Sequence, residues 1–277
     1  MLKMRDASRF FDRSPVTDPD TGELLFKAQF NNYDGSRRDA YAAYRRILSV
    51  DPAVAVPAGQ CVRALDSVWL VGNAQADGWD ELHRRKFIVH QARDKASVVT
   101  LAGCLTGEEP TSTWGDLQWI ATTTDQAAAS DEFNLMLAVL PGSVSVPDYS
   151  LVTVGNATLL VQSSAYFSTG FVEARGQQRG DARVLPLAVT RREFVPAEGR
   201  HVEQAVAELP SLQLRWQELF QYNDQLDEHF RPGDTVFAVP EAADVRVSDT
   251  VTREGRTWQI KGLATLVGVR AIHARRL

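Results

Sequence analysis

The chain has 277 residues and a mass of 30.7 kDa, with 44% hydrophobic and 23% charged residues. This composition is typical of globular proteins and argues against a disordered or fibrous chain. Its 30 Lys and Arg residues are outnumbered by 35 Asp and Glu residues, and the formal charge of −5 disfavours a dedicated nucleic-acid coat. Two cysteines, Cys61 and Cys104, are too few for a disulfide scaffold, so we expect free thiols in a reducing compartment.

The apolar segments of the chain are short. Residues 1–15 contain no stretch that could serve as a signal peptide, and 18 apolar residues never occur consecutively, so we expect neither classical export nor a membrane-spanning helix. The runs at 68–72, 135–140 and 158–162 are bounded by Gly, Pro, Asn or Asp. Short runs with such boundaries are typical of β-strands.

Two segments predict helices instead. Ser36 is a candidate N-cap, and apolar residues follow it at helical spacing, which predicts a helix over about residues 36–49. A second helix is predicted over 200–209, ending at Pro210. Its apolar stripe consists of Val202, Ala205, Val206 and Leu209. The pattern over 211–230 fits either a strand or a helix, and both remain open.

An internal repeat is the most informative pattern in the chain. Three segments place a valine seven residues before a large apolar residue and nine before a β-branched one, with a turn between. The nine hairpin anchors are Val62, Trp69, Val71, Val152, Leu159, Val161, Val251, Trp258 and Ile260. Each segment predicts a β-hairpin with a buried second strand. A short strand ending in Val-Pro is predicted before each hairpin, at 54–57, 144–147 and 237–240.

These patterns predict a mainly β protein of small barrel- or sandwich-like units built from hairpins, with a few short helices. Helices do not alternate with strands as a parallel α/β sheet requires. The units fit three diverged repeats, although the spacing is also compatible with chance in a β-rich chain. The predicted division is an N-terminal arm at 1–34, a helix and first β unit at 35–110, a second β unit at 111–199, and a helix and third β unit at 200–277.

No catalytic, cofactor-binding or metal-binding residue is predicted. The five histidines lack H-x-H or H-x-x-x-H spacing, and the chain has no G-x-S-x-G, P-loop or G-x-G-x-x-G motif. Residues 18–23, DPDTGE, resemble the start of a calcium loop. The twelfth position of such a loop is Gln29 rather than Glu, so a hairpin turn is predicted instead.

The last segment resembles a known family. Gly233 and Asp234 form an acidic-glycine turn before a strand, and a hairpin pattern follows. That pattern consists of Asp249, Thr250, Val251, Gly255, Trp258, Ile260 and Gly262. It is similar to the closing β region of the head-to-tail joining proteins of tailed bacteriophages, the stopper or head-closure family of the neck. The resemblance is confined mainly to residues 230–277, and family members are shorter, single small barrels. The exact station in the neck or tail therefore stays open.

The resemblance implies a structural virion protein without enzymatic activity or cofactor, assembled in the host cytoplasm. It implies a ring of six or twelve copies that joins the portal side of the capsid to the tail and lets DNA pass. Its partners would be itself, a portal-side adaptor, tail-side neck or tube proteins and, transiently, DNA, with no membrane. Free strand edges would become subunit contacts in such a ring. The candidate assembly interface consists of Phe10, Phe11, Phe26, Phe30, Arg275 and Arg276.

Two other classes of function remain open. One is a β-rich receptor- or carbohydrate-binding module of a phage tail, with aromatic side chains that stack on sugars. The candidate aromatic residues are Trp114, Trp119, Phe133, Tyr166 and Phe167. The other is a hydrolase whose site is assembled from residues distant in sequence.

Overall fold

The computed structural model describes residues 13–32, 44–75, 84–119, 135–166, 170–180, 182–214 and 233–277. These residues form three closed β-barrels, each of six antiparallel strands. The prediction of a mainly β protein with small barrel units built from hairpins is confirmed. No helix in the described ranges has the length and apolar character needed to cross a bilayer.

The first barrel consists of β1 (Ser14–Thr17), β2 (Leu24–Asn32), β3 (Arg45–Val50), β4 (Cys61–Ala64), β5 (Ser67–Gln75) and β6 (Arg85–Ala92). The second consists of β7 (Asp94–Thr100), β8 (Thr111–Trp119), β9 (Leu135–Pro141), β10 (Ser150–Val154), β11 (Ala157–Tyr166) and β12 (Phe171–Arg179), with the helix α1 (Leu101–Thr106) after β7. The third consists of β13 (Leu185–Val195), β14 (Arg200–Leu214), β15 (Thr235–Pro240), β16 (Thr250–Arg253), β17 (Arg256–Leu266) and β18 (Val269–Arg276).

All three barrels share one topology. Counting strands in chain order within each barrel, the neighbours around the barrel are the first, second, third, sixth, fifth and fourth strands. The fifth strand carries a β-bulge at the same place each time, directly after Val71, Val161 or Ile260. Because a bulge re-aims every side chain after it, its position is a specific structural feature. The shared order and bulge make the three barrels structural repeats.

A backbone conformation is repeated as well. The residue three positions before the fourth-strand valine has a positive φ in each barrel: Gly59 at 78°, Tyr149 at 61° and Ser248 at 80°. Left-handed backbone is unfavourable for Tyr and Ser. In each case the backbone N–H donates to the carbonyl of the first residue before the bulge, Val71, Val161 or Ile260. That hydrogen bond fixes the entry into the fourth strand.

Both predicted helices are wrong in the described residues. Of the first, residues 36–43 lie outside the described residues and 45–49 belong to strand β3, whose Leu48 points into the barrel core while Ile47 packs on the outside. Two neighbours buried on opposite faces produced the helix-like spacing. The segment 200–209 lies in β14, where a bulge interrupts the strand alternation. Pro210 does not end this strand, because β15 pairs with β14 only from Leu212 onward and the proline needs no ladder partner there.

The predicted Val-Pro strands are correct only in the third unit, where residues 237–240 lie in β15. Residues 54–57 and 144–147 lie in the loop between the third and fourth strands. The third-barrel counterpart of that loop is 241–249. Ala243 and Val245 fill its core as Val144 and Val146 fill that of the second barrel. The segment 237–240 therefore corresponds to the end of the third strand of the second barrel and not to the loop at 144–147.

The barrel boundaries also differ from the predicted units. Strands β1 and β2, placed in an N-terminal arm, belong to the first barrel, which spans residues 14–92. Strand β7 and helix α1 belong to the second barrel at 94–179, and β13 belongs to the third at 185–276. Each predicted unit begins later in the sequence than the observed barrel, because the first strands of each barrel precede the hairpin that identifies the repeat.

Candidate assembly interface

All nine hairpin anchors are buried inside the barrels, none more than 6% exposed. Within each hairpin the valine lies directly opposite the large residue. The pairs are Val62 with Trp69, Val152 with Leu159, and Val251 with Trp258. The residues that follow these anchors in the sequence therefore occupy equivalent positions on the outer surfaces of the three barrels.

The first and second barrels pack through an apolar interface. The first barrel contributes Val68 and Leu70 of its fifth strand, together with Ile88 and Ala92 of its sixth. The second barrel contributes Leu137 and Val139 of its third strand and Phe171 of its sixth. Because these side chains point outward from their own barrels, their burial comes from barrel–barrel packing.

Charged groups are buried beside this apolar interface. Arg45 and Glu173 form an ion pair of 3.0 Å between the two barrels, with both side chains 7% exposed. His90 Nε2 lies 2.8 Å from Asp116 Oδ2, and Arg93 Nε lies 2.9 Å from Asp116 Oδ1. Burial alone would raise the pKa of Asp116, but the hydrogen bonds from His90 and Gln118 and the charge of Arg93 hold it below its ordinary value. The Asp116 carboxylate therefore links the two barrels.

The second and third barrels pack through a larger apolar interface. The second barrel contributes Leu151 and Leu160 of its fourth and fifth strands, with Leu101 and Leu105 of α1. The third barrel contributes outward-pointing residues of its second, third, fifth and sixth strands. They are Leu212, Leu214, Val236, Ala238, Ala264, Leu266, Val269 and Ala271.

Both interfaces follow the same rule. The outer surface of the fifth strand and its neighbours, here called the forward face, packs on the outer surface of the third strand and its neighbours in the next barrel, here called the rear face. Leu70 and Leu160 follow Trp69 and Leu159, so they occupy equivalent forward positions. The barrels are thus related head to tail, in the heterologous manner that can continue from one unit to another.

The two end faces of this series are mainly polar. At the forward face of the third barrel, Gln259 occupies the position of Leu70 and Leu160, and Thr257 and Thr250 lie beside it. At the rear face of the first barrel, Gln29 pairs with Ser49, where the second barrel pairs Asp116 with Val139. A shallow groove at this rear face is lined by Arg13, Lys27, Gln29, Ser49, Asp51 and Arg84. Leu25 is exposed on the same outer side of β2 as Lys27, so this end face is mainly polar but carries some apolar surface.

The connection between the first and second strands also reaches forward in the first two barrels. In the first barrel it is a turn whose Asp20 ion-pairs with Lys95 and accepts a 3.4 Å hydrogen bond from Trp114 Nε1, both in the second barrel. This turn is the hairpin turn predicted at 18–23, and Asp18 accepts backbone hydrogen bonds from Asp20 and Thr21. In the second barrel the connection is α1, which packs on β14 and β15.

In the third barrel the same connection is a long two-stranded extension. Residues 191–195 of β13 pair with 200–204 of β14, beyond the part of β13 that pairs with β16. We call residues 191–204 the arm. Phe194 in the arm is 54% exposed and contacts only the ring of His201 edge-on, at 5.3 Å between centroids, among the ring contacts of the described residues. A two-stranded ribbon of this kind gains little stability without a packing partner.

The base of the arm is fixed by an ion-pair cluster. Arg191 binds Asp249 through Nε at 3.0 Å and through Nη2 at 2.9 Å, and it reaches Asp244 at 3.1 Å. The hydrogen bond from Arg191 holds the pKa of Asp244 below its ordinary value. Arg191 is only 9% exposed, so this bidentate pair is shielded from solvent and orients the arm relative to the barrel.

The candidate interface residues do not form one surface. Phe26 is a core residue of the first barrel and Phe30 packs against the same core, with its ring 5.5 Å from that of Trp69. Arg275 is half-buried in an ion pair of 3.0 Å with Asp234, and Arg276 is exposed at the end of β18. Phe10 and Phe11 lie outside the described residues. The aromatic residues needed in the core were thus mistaken for surplus surface residues.

The residues that link the barrels escaped sequence reasoning. Asp116, His90 and Glu173 lie on three different strands and share no motif spacing. The alternation of Val68 and Leu70 with Trp69 and Val71 is the signal that could have revealed the interfaces, because a strand with apolar residues on both faces must be covered on both.

Neither cysteine is positioned as a reactive thiol. Cys61 and Cys104 are both free. Burial raises the pKa of the Cys61 thiol to about 11 and raises that of Cys104. Across the described residues, no group of three or more His, Cys, Asp or Glu side chains could hold a metal ion. In comparisons with known proteins, the chain matches no family model, no curated protein and no solved structure.

Proposed function

We propose that this chain is a structural protein of a tailed-bacteriophage neck, where copies of it form a ring between the portal side of the capsid and the tail. The head-to-tail relation of the three barrels carries the proposal. A heterologous relation closes into a ring when its rotation permits. The chain already uses this relation twice, and its two end faces differ in the charged residues that they carry.

The residues of the family resemblance support the same assignment. Asp249, Thr250 and Val251 lie at the start of the fourth strand of the third barrel, and Trp258 and Ile260 lie on its fifth strand. The pattern thus corresponds to the repeating hairpin of the third barrel. Members of the family are single small barrels, so one barrel of this chain matches their architecture. The excess of acidic residues suits a channel through which DNA slides, because phosphate-binding cations would retain it.

The proposal is tested by the mass of the purified protein in solution and by its location in virions. We expect a closed assembly of six or twelve copies, with the protein at the junction of head and tail in labelled particles. Phages lacking the chain should accumulate heads beside free tails. A protein that stays monomeric and is absent from purified virions would overturn the proposal.

A further inference from the structure

We propose that the arm of one copy docks on the rear face of the first barrel of a second copy, so that copies join in the same head-to-tail manner as the barrels within the chain. This inference deepens the proposed ring function and rests on it. It assigns the partner of the arm as another molecule of this protein.

The position of the arm in the series of barrels favours this contact. The connection between the first and second strands touches the next barrel through Asp20 in the first barrel and through α1 in the second. The arm is the third connection of this kind. The described residues contain no fourth barrel that the arm could touch. The arm therefore extends from the forward end of the series, and its two strands pair only with each other within the described residues.

The arm also exposes an aromatic side chain on the outer side of the first strand. In the second barrel, Val99 on the outer side of the first strand packs against the interface, and Leu101 of α1 follows it there. Thr190 and Arg192 continue the outer side of the first strand in the third barrel, and Phe194 comes next. By register Thr190 corresponds to Val99 and Arg192 to Leu101, so Phe194 lies at the next outward position along the arm. Its exposed ring is the large apolar side chain that the arm offers to a partner.

The arm and the rear face also carry opposite net charges. The arm and the adjoining part of β14 carry four exposed glutamates, Glu193, Glu198, Glu203 and Glu208, and two exposed arginines, Arg192 and Arg200. Among the described residues that line the rear groove of the first barrel, Arg13 and Lys27 are basic, Asp51 is acidic, and Arg84 donates a hydrogen bond to Gln29. Counted over these described residues, the arm side has a net charge of −2, and Arg13, Lys27 and Asp51 give the groove a net charge of +1. Complementary charge of this kind favours association of the two ends and disfavours contact of like ends.

Two single charge reversals test the contact. Glu203→Lys alters the arm and Lys27→Glu alters the rear face, and each side chain is exposed, so neither change should disturb folding. We expect each variant alone to weaken assembly at least tenfold in analytical ultracentrifugation. Glu109→Lys, an equal change of charge at an exposed residue of the second barrel away from both end faces, is the matched control and should assemble as the wild type does.

Mixing the two variants distinguishes a head-to-tail contact from other contacts. In an alternating assembly, the positively charged arm of the Glu203→Lys variant meets the negatively charged rear face of the Lys27→Glu variant. At the next contact, an unaltered arm meets an unaltered rear face, so the mixture should recover assembly in even-numbered rings. If the mixture remains unassembled while each variant is folded by circular dichroism, the arm does not dock on this face.

A photo-crosslinking residue in place of Phe194 tests the contact independently, because it leaves the surface charge of the wild type unchanged. The crosslinks can be mapped in the purified protein and in particles. We expect crosslinks to β2 or β3 of a second copy. Crosslinks confined to other segments would overturn the inference. The outcomes separate the two proposals: wild-type rings that both charge variants still form would disprove the arm contact alone, whereas a wild-type protein without rings or virion location would disprove the neck function.

Discussion

Leu160 and Gln259 occupy the same position in two barrels of identical topology, yet Leu160 is completely buried and Gln259 is only half-buried. Leu160 lies on the forward face of the second barrel, which the third barrel covers. Gln259 lies on the forward face of the third barrel, at the end of the series of three. The comparison shows that inward positions follow the requirements of the barrel, whereas outward positions follow the place of the barrel in the series.

End units of repeat proteins differ from internal units for the same reason. An internal repeat must bury both of its outer surfaces, while an end repeat must keep one surface compatible with water or with a reversible partner. The polar residues Thr250, Thr257 and Gln259 meet this requirement at one end, and Lys27 and Gln29 meet it at the other.

The largest effect is expected at an inward position of the third barrel. Trp258→Ala should reduce the free energy of unfolding by about 3–5 kcal/mol, because it leaves a cavity beside the Phe237 ring, 5.1 Å away between centroids. Urea unfolding followed by circular dichroism measures this change. The neighbouring outward change Gln259→Ala is the control and should stay within about 0.5 kcal/mol. Equal losses for the two variants would show that the outer face of this strand is as tightly packed as the core.

A slightly smaller effect is expected at the covered forward face. Leu160→Gln should cost about 2–4 kcal/mol, because it removes buried apolar surface and places an amide in an interface lined by leucines. The same urea titration measures it, and limited proteolysis should show that the second and third barrels separate more readily. An unchanged unfolding midpoint would mean that water already enters this interface.

The first internal interface should respond to acid through Asp116. Because folding holds its pKa below the ordinary value of 3.8, the unfolded chain binds more protons there as pH falls. The stabilisation by Asp116 is therefore fully present above the unfolded-state pKa and is lost as the pH falls from that value through the lower pKa of the folded state.

Asp116→Asn tests this dependence. At neutral pH it should cost about 1.5–3 kcal/mol, since the charged acceptor of His90 and Arg93 is lost. Melting temperatures measured from neutral to acidic pH should fall less steeply for the variant than for the wild type. Parallel curves for the two proteins would show that other carboxylates cause the acid sensitivity.

The sequence was sufficient to predict the hairpins but not the complete barrels. Val62 and Trp69 could be paired from their spacing because a tight turn fixes the register of a hairpin. The first and second strands of each barrel have connections as different as a short turn, the helix α1 and the arm. No spacing is common to these connections, so the barrel boundaries could not be deduced.

Bulges and double-sided burial account for the other errors. The bulge near Val206 in β14 changes the side-chain alternation from two-residue to helix-like spacing, which produced the false helix at 200–209. Ile47 and Leu48 are buried against different barrels, which imitates one helical face. The interface residues Asp116 and His90 come together only through barrel packing, a relation between distant strands that a single sequence does not display.

The smallest effect is expected for the reverse exchange at the free end. Gln259→Leu places at the third barrel the residue that Leu160 provides in the second, but no other described barrel covers this face. The free energy of unfolding should therefore change by less than about 0.5 kcal/mol, in contrast to Leu160→Gln. Urea unfolding of the two variants side by side gives the comparison directly. If Gln259→Leu were to change stability as much as Leu160→Gln, the forward face of the third barrel would be covered within the monomer, and its polar character would need another explanation.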